Sequence, residues 1–501
     1  MSGDTHADVC VIGAGIAGMS AAYLLACEGR SVVVVDDGPI GGGQTGRTTA
    51  HLSNAIDDLY QTIAKIHGAE GARLAAESHT VAIDRIETIA GIEGIQCDFE
   101  RLDGYLFTPP GASTDILVHE LDAAHAAGLP DVELVPRAPL DTFNTGPALR
   151  FPRQAQFHSL EYLSGLTTAI ERRGGRIYCE THADQVAGGA PARVTTPHGT
   201  VECDAVIVAT NTPIVSRVLV HARQAAYLTY VVGAVVPPGA VPRALYWDTD
   251  DPYHYMRVHT LPARAVGGGG DGEPVDVLIV GGEDHHVGQA DDAEARWGRL
   301  EAWTRERVPG LQRIAFRWSG EVMEPVDRIG LIGRNPNDHG NVFIATGDTG
   351  MGMTHGTIAG ILLTDLVMGR TNPWERLYDP SRVRPRAVSA FINEAANMAA
   401  QYADWLTPGD VAAVEAIPPG GGAVMREGLG KTAVYRDEHG VAHARSAVCP
   451  HLGCIVDWNH AERTWDCPCH GSRFDCHGRV INGPANRDLG EVQAPEQRRA
   501  S

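Results

Sequence analysis

The sequence predicts an α/β domain built on a parallel sheet, an antiparallel-sheet (α+β) domain interleaved with it, and a small all-β domain at the C-terminal end. Three observations predict this. The stretch from Ala7 to Asp37 reads strand, glycine turn, helix, strand and acid. Apolar runs of strand length return after helical segments, at Ala205 to Ala209 and at Val342 to Ala345, as later strands of one sheet do. From Pro418 onward short alternating runs are separated by turns such as Glu438-His439-Gly440.

The first stretch carries the most chemistry. Val9-Cys10-Val11-Ile12 is a buried strand by composition, Gly13-Ala14-Gly15-Ile16-Ala17-Gly18 follows it, a helical segment spans Met19 to Cys27, and a second apolar run, Ser31 to Val35, ends at Asp36. In a Rossmann dinucleotide site the first glycine permits the tight turn and the second admits the pyrophosphate to backbone N–H groups. The third lets helix and strand pack closely, and the helix N-terminus offers partial positive charge. Asp36, at the end of the second strand, is placed to accept hydrogen bonds from ribose hydroxyls.

The 501 residues include 41 basic and 62 acidic side chains, a formal charge of −21 that repels phosphate backbones and anionic lipid, so neither nucleic acid nor a membrane surface is expected as a partner. With 43% hydrophobic and 21% charged residues the composition is that of a globular chain. No apolar run approaches the ~20 residues of a membrane span. The N-terminal text enters the first strand without room for a signal peptide, so a cytoplasmic location is expected. Cys10, Cys27, Cys97, Cys179 and Cys203 stand singly and read as small core residues. Cys449, Cys454, Cys467, Cys469 and Cys476 cluster, which in a reducing compartment points to metal before disulfides.

Taken in order, Gly38 to His51 is a loop rich in glycine and hydroxyls. Leu59 to Ile92 has helical spacing, Phe99 to Phe107 reads as strand and Asp115 to Ala127 as helix. A helix from Leu160 to Arg172, a strand at Arg176 to Cys179, Val186 and a hairpin from Arg193 to Glu202 lead back to the first sheet. Ala222 to Val236, Tyr253 to Val258 and Val275 to Val280 read as strands of a second sheet, with the Gly267 to Gly270 run in a loop. Trp318-Ser319-Gly320 precedes the strand Val342 to Ala345, and the glycine-rich turn Gly347 to Gly356 opens onto a helix expected from Ile358 to Met368. Proline-rich text and a helix from Arg386 to Trp405 read as a linker, and no internal repeat is apparent.

The fingerprint, the Gly41 to Ala50 loop, Val186, Trp318-x-Gly320 and the last glycine-rich turn resemble the glycine oxidase and D-amino-acid oxidase superfamily of flavoproteins. The resemblance covers about residues 7–370. It implies FAD, with Gly13, Gly15, Ile16, Ala17, Gly18, Asp36, Thr45, Arg47 and Thr48 at the nucleotide end. Val186 would offer backbone contacts to the adenine, and Gly350, Met351, Gly352, Met353 and Thr354 would border the isoalloxazine. It also implies FAD-binding parts at about 7–90, 150–215 and 318–370, and substrate parts at about 91–149 and 216–317. Members that tether FAD use a cysteine near Met323 or Glu324. None stands here, so non-covalent FAD is expected, with His51 the one residue that leaves the question open.

Cys449-Pro450-His451-Leu452-Gly453-Cys454 and Cys467-Pro468-Cys469-His470-Gly471-Ser472 bring two thiolates and two imidazoles in a pair of arms. By ligand type alone zinc and iron–sulfur fit equally. The interleaved Cys-x-His order departs from common zinc fingers and each arm carries an extra cysteine. With Phe474-Asp475, Gly478 and Gly483-Pro484-Ala485 the segment resembles a Rieske [2Fe-2S] domain, expected over 411–495 after a helical linker at 371–410. The resemblance implies that Cys449 and Cys467 hold one iron and His451 and His470 the other. It further implies a Cys454–Cys469 disulfide between the arms and a hydrogen bond from Ser472 to the cluster.

The expected function is flavin-dependent oxidation of a small amine or amino acid, with electrons passed through the cluster to a one-electron acceptor, protein or small molecule. Tyr253, Tyr255 and Arg257 alternate along one strand and can share a face, where Arg257 would bind a carboxylate; Tyr255, Arg257 and His51 are candidate catalytic residues. Two alternatives are an NAD(P)H-dependent reductase feeding the cluster, which wants a second nucleotide fingerprint, and a redox sensor without turnover.

Overall fold

The computed structural model describes residues 1, 3–215, 220–267 and 273–493. Gly268 to Gly270 of the expected loop, residues 216–219 of the expected second-sheet part and residues 494–495 of the expected last domain lie outside the described residues.

The first sheet forms around the opening strand because Thr5–Ile12, Val32–Val35 and Gly199–Val208 each bury a nearly continuous apolar run, the pattern of parallel strands covered on both faces. Its order is Leu331–Arg334, Val342–Thr346, Gly199–Val208, Thr5–Ile12, Val32–Val35, Arg176–Tyr178. The hairpin expected at Arg193 to Glu202 and the following apolar run are one element: Gly199–Val208 pairs antiparallel with Ala192–Thr196 at its start and parallel with Thr5–Ile12 along most of its length.

The helix Ile16–Cys27 begins at the fingerprint, where Gly13 has φ +105° and a Cβ at Gly18 would overlap the Gly13 carbonyl oxygen. It packs against the helix Gly352–Val367. That helix starts six residues earlier than the spacing predicts, so Met353 and Thr354 lie in its first turn. The glycines mislead because they serve packing: a Cβ at Gly360 would fall 2.6 Å from Ser20 Cβ, and one at Gly356 2.5 Å from Ile16 Cγ2.

The second sheet runs Arg313–Pro325, Gln224–Val236, Val275–His286, His254–Leu261, Leu245–Asp248, Glu100–Phe107, Ala148–Gln156, His51–Leu52. Thus His51–Leu52 and Ala148–Gln156, expected near the nucleotide-binding parts, extend the second sheet instead. The segment expected as a linker is anchored: Arg382 donates to both carboxylate oxygens of Asp327 at 2.8 and 2.7 Å, and Tyr378 and Ser78 hydroxyls lie 2.7 Å apart. Its helix is Val388–Gln401. Among the described residues no helix is long and apolar enough to cross a membrane.

The C-terminal part holds two antiparallel sheets, Gly422–Glu427 to Ala442–Ser446 and Asp457–Asn459 to Val480–Asn482.

Candidate functional site

The two sheets and the C-terminal part enclose a cavity of about 990 Å³. At one end the fingerprint lines it. Asp36 Oδ2 accepts from the Ala14 N–H at 2.6 Å and Oδ1 from the Gly38 N–H at 2.8 Å, while burial pushes its carboxyl up to about 6. Thr45, Arg47 and Thr48 line the same end, and the Ile16 N–H donates to Thr45 Oγ1 at 3.0 Å. Gly350, Met351, Gly352 and Met353 line the far part.

Three expected contacts lie elsewhere, the first being Gly18, which packs against the Gly13 carbonyl and does not line the cavity. Val186 does not line the cavity, because Gln185–Ala187 pairs with Ala192–Thr196; Ala183 and Asp184, just upstream, do. Thr354 is turned away, its hydroxyl bonded to the Met351 carbonyl at 3.1 Å and to His79 Nδ1 at 2.8 Å.

Beside Gly350 the second sheet brings Tyr253, Tyr255, Trp247 and His51 to the wall. The tyrosine rings lie 5.8 Å apart, and burial holds His51 neutral, lowered to about 3. Arg257 shares their strand but stays out of the cavity, because its guanidinium donates to the Thr49 carbonyl and, at 3.2 Å, to Gln156 Oε1. A carboxylate-binding role for Arg257 therefore has no donor facing the space. Asp57, which sequence reasoning missed, opens onto the cavity, and among the described residues its carboxylate takes no hydrogen bond. Asp57 is exposed to the cavity it lines, and the surrounding protein, then the charges of Asp58, Asp284 and Asp348, push it up to about 8. Nothing in its local text, Ile56-Asp57-Asp58-Leu59, marks it.

The C-terminal part supplies Glu462, Thr464, Arg473 and Asn482 to the cavity wall. Asn482 Nδ2 donates to Glu321 Oε1 at 2.7 Å, and Glu321, buried in strand Arg313–Pro325, is pushed well up by that burial.

The two cysteine arms have one local geometry. In each, the first cysteine's N–H donates to the carbonyl five residues on at 2.8 Å, Cys449 to Cys454 and Cys467 to Ser472. In each, the glycine four residues on, at positive φ, donates back to the cysteine carbonyl, Gly453 at 3.0 Å and Gly471 at 3.1 Å. This juxtaposes the buried thiols of Cys449 and Cys467. Cys467 and the N–H groups of His451 and Leu452 donate to Cys449 and lower it. The His451 and His470 rings lie 4.9 Å apart, and burial holds His470 neutral, lowered to about 4, the form that ligates metal. Two thiols and two imidazoles on paired loops match the donor set of a [2Fe-2S] centre. Cys454 and Cys469 are joined as a disulfide between the arms. The buried Ser472 hydroxyl accepts from the Ala485 N–H at 2.9 Å and donates toward Cys449.

A glycine-turn nucleotide end joined to an antiparallel sheet, with a two-loop thiol and imidazole site beside it, defines a flavoprotein with an iron–sulfur module. The chain belongs to the family of FAD dependent oxidoreductases, whose model matches residues 8–366, and residues 407–493 match the Rieske [2Fe-2S] domain. Such proteins bind FAD and a [2Fe-2S] cluster respectively. YhfW of Bacillus subtilis (strain 168), named as a Rieske 2Fe-2S iron-sulfur protein, is 32% identical over 495 residues, 98% of this chain and 94% of that protein. Gamma-glutamylputrescine oxidoreductase of Escherichia coli (strain K12) is 27% identical over 378 residues, 72% of this chain and 84% of that one. In fold, glycine oxidase from Geobacillus kaustophilus superposes with a TM-score of 0.61 at 17% identity, over 75% of this chain and 99% of the other.

Proposed function

We propose that this FAD-dependent oxidoreductase oxidises a small amine that arrives as a cation, and that the electrons leave through the C-terminal centre to an external one-electron acceptor. Asp57 carries the reading: a carboxylate without a hydrogen-bond partner among the described residues opens between Gly350 and the Tyr253 and Tyr255 rings. An ammonium group satisfies a carboxylate and stacks on aromatic faces, whereas an amino acid's carboxylate would need a free guanidinium. Arg257 is taken up in the scaffold, Arg47 by Ser319 and Glu462, Arg473 by Asp466 and Arg479 by Asp475. Arg487, exposed, reaches the cavity wall next to Asn486, which is bonded to the Ala183 carbonyl and not to the tyrosine side. The name of the Escherichia coli relative, which contains a putrescine moiety, supports the amine class.

When bound, FAD supplies the acceptor for a hydride from the C–H bond beside the amine nitrogen, and the [2Fe-2S] centre passes electrons on singly. Where its carboxyl is ionised, above about pH 8, Asp57 draws in the ammonium and takes its proton, leaving the neutral amine that can give up hydride. Its raised affinity for a proton suits that task. Tyr253 and Tyr255 flank the nitrogen. Neutral His51 adds no repelling charge. Water then hydrolyses the imine to a carbonyl compound and ammonia or a smaller amine.

The fingerprint glycines, Asp36 and the Thr45 to Thr48 loop would hold the nucleotide end of FAD, and Gly350 to Met353 would border its ring, without a covalent link. Cys449, His451, Cys467 and His470 would hold the cluster. Anaerobic mixing tests the function. Mono- and diamines should bleach the flavin, while neutral amino acids and NADH should not. Bleaching by NADH alone would sink the amine reading in favour of a reductase.

A further inference from the structure

We propose that His221 is a positioning residue that holds the imidazole edge of the C-terminal centre against the flavoprotein body. His221 opens the short turn His221–Arg223, directly before strand Gln224–Val236, and is 1% exposed. Its ring lies 4.9 Å from that of His451 at 84° and 6.2 Å from that of His470 at 75°. The three imidazoles, from two different parts of the chain, thus stand mutually edge to face.

The turn that carries His221 is fixed from behind. Arg223 Nη1 donates to the carbonyls of Pro380 and Arg382, each at 2.8 Å, and the Val326 N–H donates to the Arg223 carbonyl at 2.8 Å. The next residue, Gln224, accepts from the hydroxyl of Thr346 at 3.1 Å, and Thr346 lines the large cavity. Five residues beyond His221, Ala226 meets the second arm so closely that a Cβ at Gly471 would overlap it. The helix Val388–Gln401 packs on the same turn. A rigid turn with one wall on the cavity therefore presents an aromatic face to both imidazoles, and no other residue of the flavoprotein part makes a ring contact with either among the described residues.

Ligand orientation and solvent access tune such a centre, so the contact has a spectroscopic consequence. It rests on the proposed ligand set of Cys449, His451, Cys467 and His470. The full-length protein, with His221→Ala and His221→Phe, would be compared by iron content, by the electron paramagnetic resonance of the reduced centre, and by midpoint potential. In His221→Ala, altered g values and an upward shift of the potential are expected, because water reaching the imidazole edge stabilises the added negative charge. His221→Phe keeps an edge-to-face ring and should restore both readouts. Unchanged g values and potential in an iron-replete His221→Ala would overturn the proposal. So would a Phe variant that loses the centre or shifts with Ala, and Phe decides if the Ala variant does not fold. Absence of a Rieske-type signal in the unsubstituted protein would instead overturn the ligand set on which the proposal stands.

Discussion

Arg47 Nη1 donates to Glu462 Oε2 at 3.1 Å, tying the loop after the glycine fingerprint to a residue 415 positions further along the chain. Ser319 Oγ donates to the other oxygen of the same carboxylate at 2.8 Å. Glu462 thus clamps the loop after the fingerprint and a strand of the second sheet, and the C-terminal module is a wall of the cavity. Gln289 Nε2 donates to the Pro468 carbonyl at 3.1 Å and Asn486 Nδ2 to the Ala183 carbonyl at 2.8 Å, so the module is also held at two further points.

That docking is testable at one atom. Gly471 and Gly453 occupy matching places in the two arms, with φ of +79° and +84°. A Cβ at Gly471 would overlap Ala226, whereas one at Gly453 meets nothing within 4 Å. Both alanine variants bear the left-handed backbone cost of roughly 1–2 kcal/mol. Gly471→Ala alone adds an overpacking cost of about 1–3 kcal/mol. Thermal unfolding should show the larger loss for Gly471→Ala, accompanied by a lower iron content. Equal losses would mean that the module is not seated on the second sheet.

A second expectation separates the module's metal from its role as a wall. His470 does not line the cavity, while Thr464 and Arg473 do. His470→Ala should therefore abolish the visible and paramagnetic signature of the cluster and leave FAD bound at full stoichiometry. Loss of FAD together with iron would show that the wall depends on the loaded centre.

Asp57 makes two expectations. Asp57→Asn removes the proton acceptor and the charge that attracts an ammonium, so single-turnover flavin reduction by amine should slow by about 10²–10⁴-fold, the usual range for a positioned base. The second concerns the protein freed of FAD. A folded carboxyl raised from 3.8 to about 8 binds more protons than the unfolded chain between those limits. Its contribution to stability is present in full below pH 4 and is lost as pH rises through 8. The melting temperature of FAD-free protein should therefore fall less steeply from pH 5 to pH 8 in Asp57→Asn than in the unsubstituted chain. Parallel curves would place Asp57 in free solvent.

Why some of this was legible in the sequence, and some not, follows from how each element is stabilised. The fingerprint was readable because Gly13 is fixed by its positive φ and Gly18 by overlap with the Gly13 carbonyl, both within one short segment, and the cluster arms because each is a closed local loop. The strand Arg313–Pro325 was not. It sits at the sheet edge, carries Arg313, Arg317, Glu321 and Glu324, and alternates poorly. The helix Ala293–Arg307 was missed because charges surround it, although Trp297, Leu300 and Thr304 have the spacing of its buried stripe. Asp57, Glu321 and His221 take their meaning only from partners far away in the chain. Arg257 shows the converse: strand alternation put it on the same face as Tyr253 and Tyr255, but Thr49 and Gln156 claim its guanidinium.

The last expectation concerns the potential of the centre, which across Rieske proteins spans about −150 to +300 mV and responds to hydrogen bonds at sulfur. Reduction adds negative charge, so a donor to sulfur favours the reduced form and raises the potential. Ser472 is such a donor: its oxygen already accepts from the Ala485 N–H at 2.9 Å, which leaves its own hydrogen directed at Cys449. Phe474, two residues on, is fully buried in the core that holds Cys449 and Cys467 and offers no donor. In high-potential relatives a tyrosine stands there, as the Rieske resemblance implies. Ser472→Ala should lower the potential and Phe474→Tyr should raise it, with iron content unchanged in both. Voltammetry at one fixed pH makes the comparison, since the histidine ligands can couple reduction to proton uptake. A potential that moves in neither variant would mean that solvent access, and not donors to sulfur, sets it in this protein.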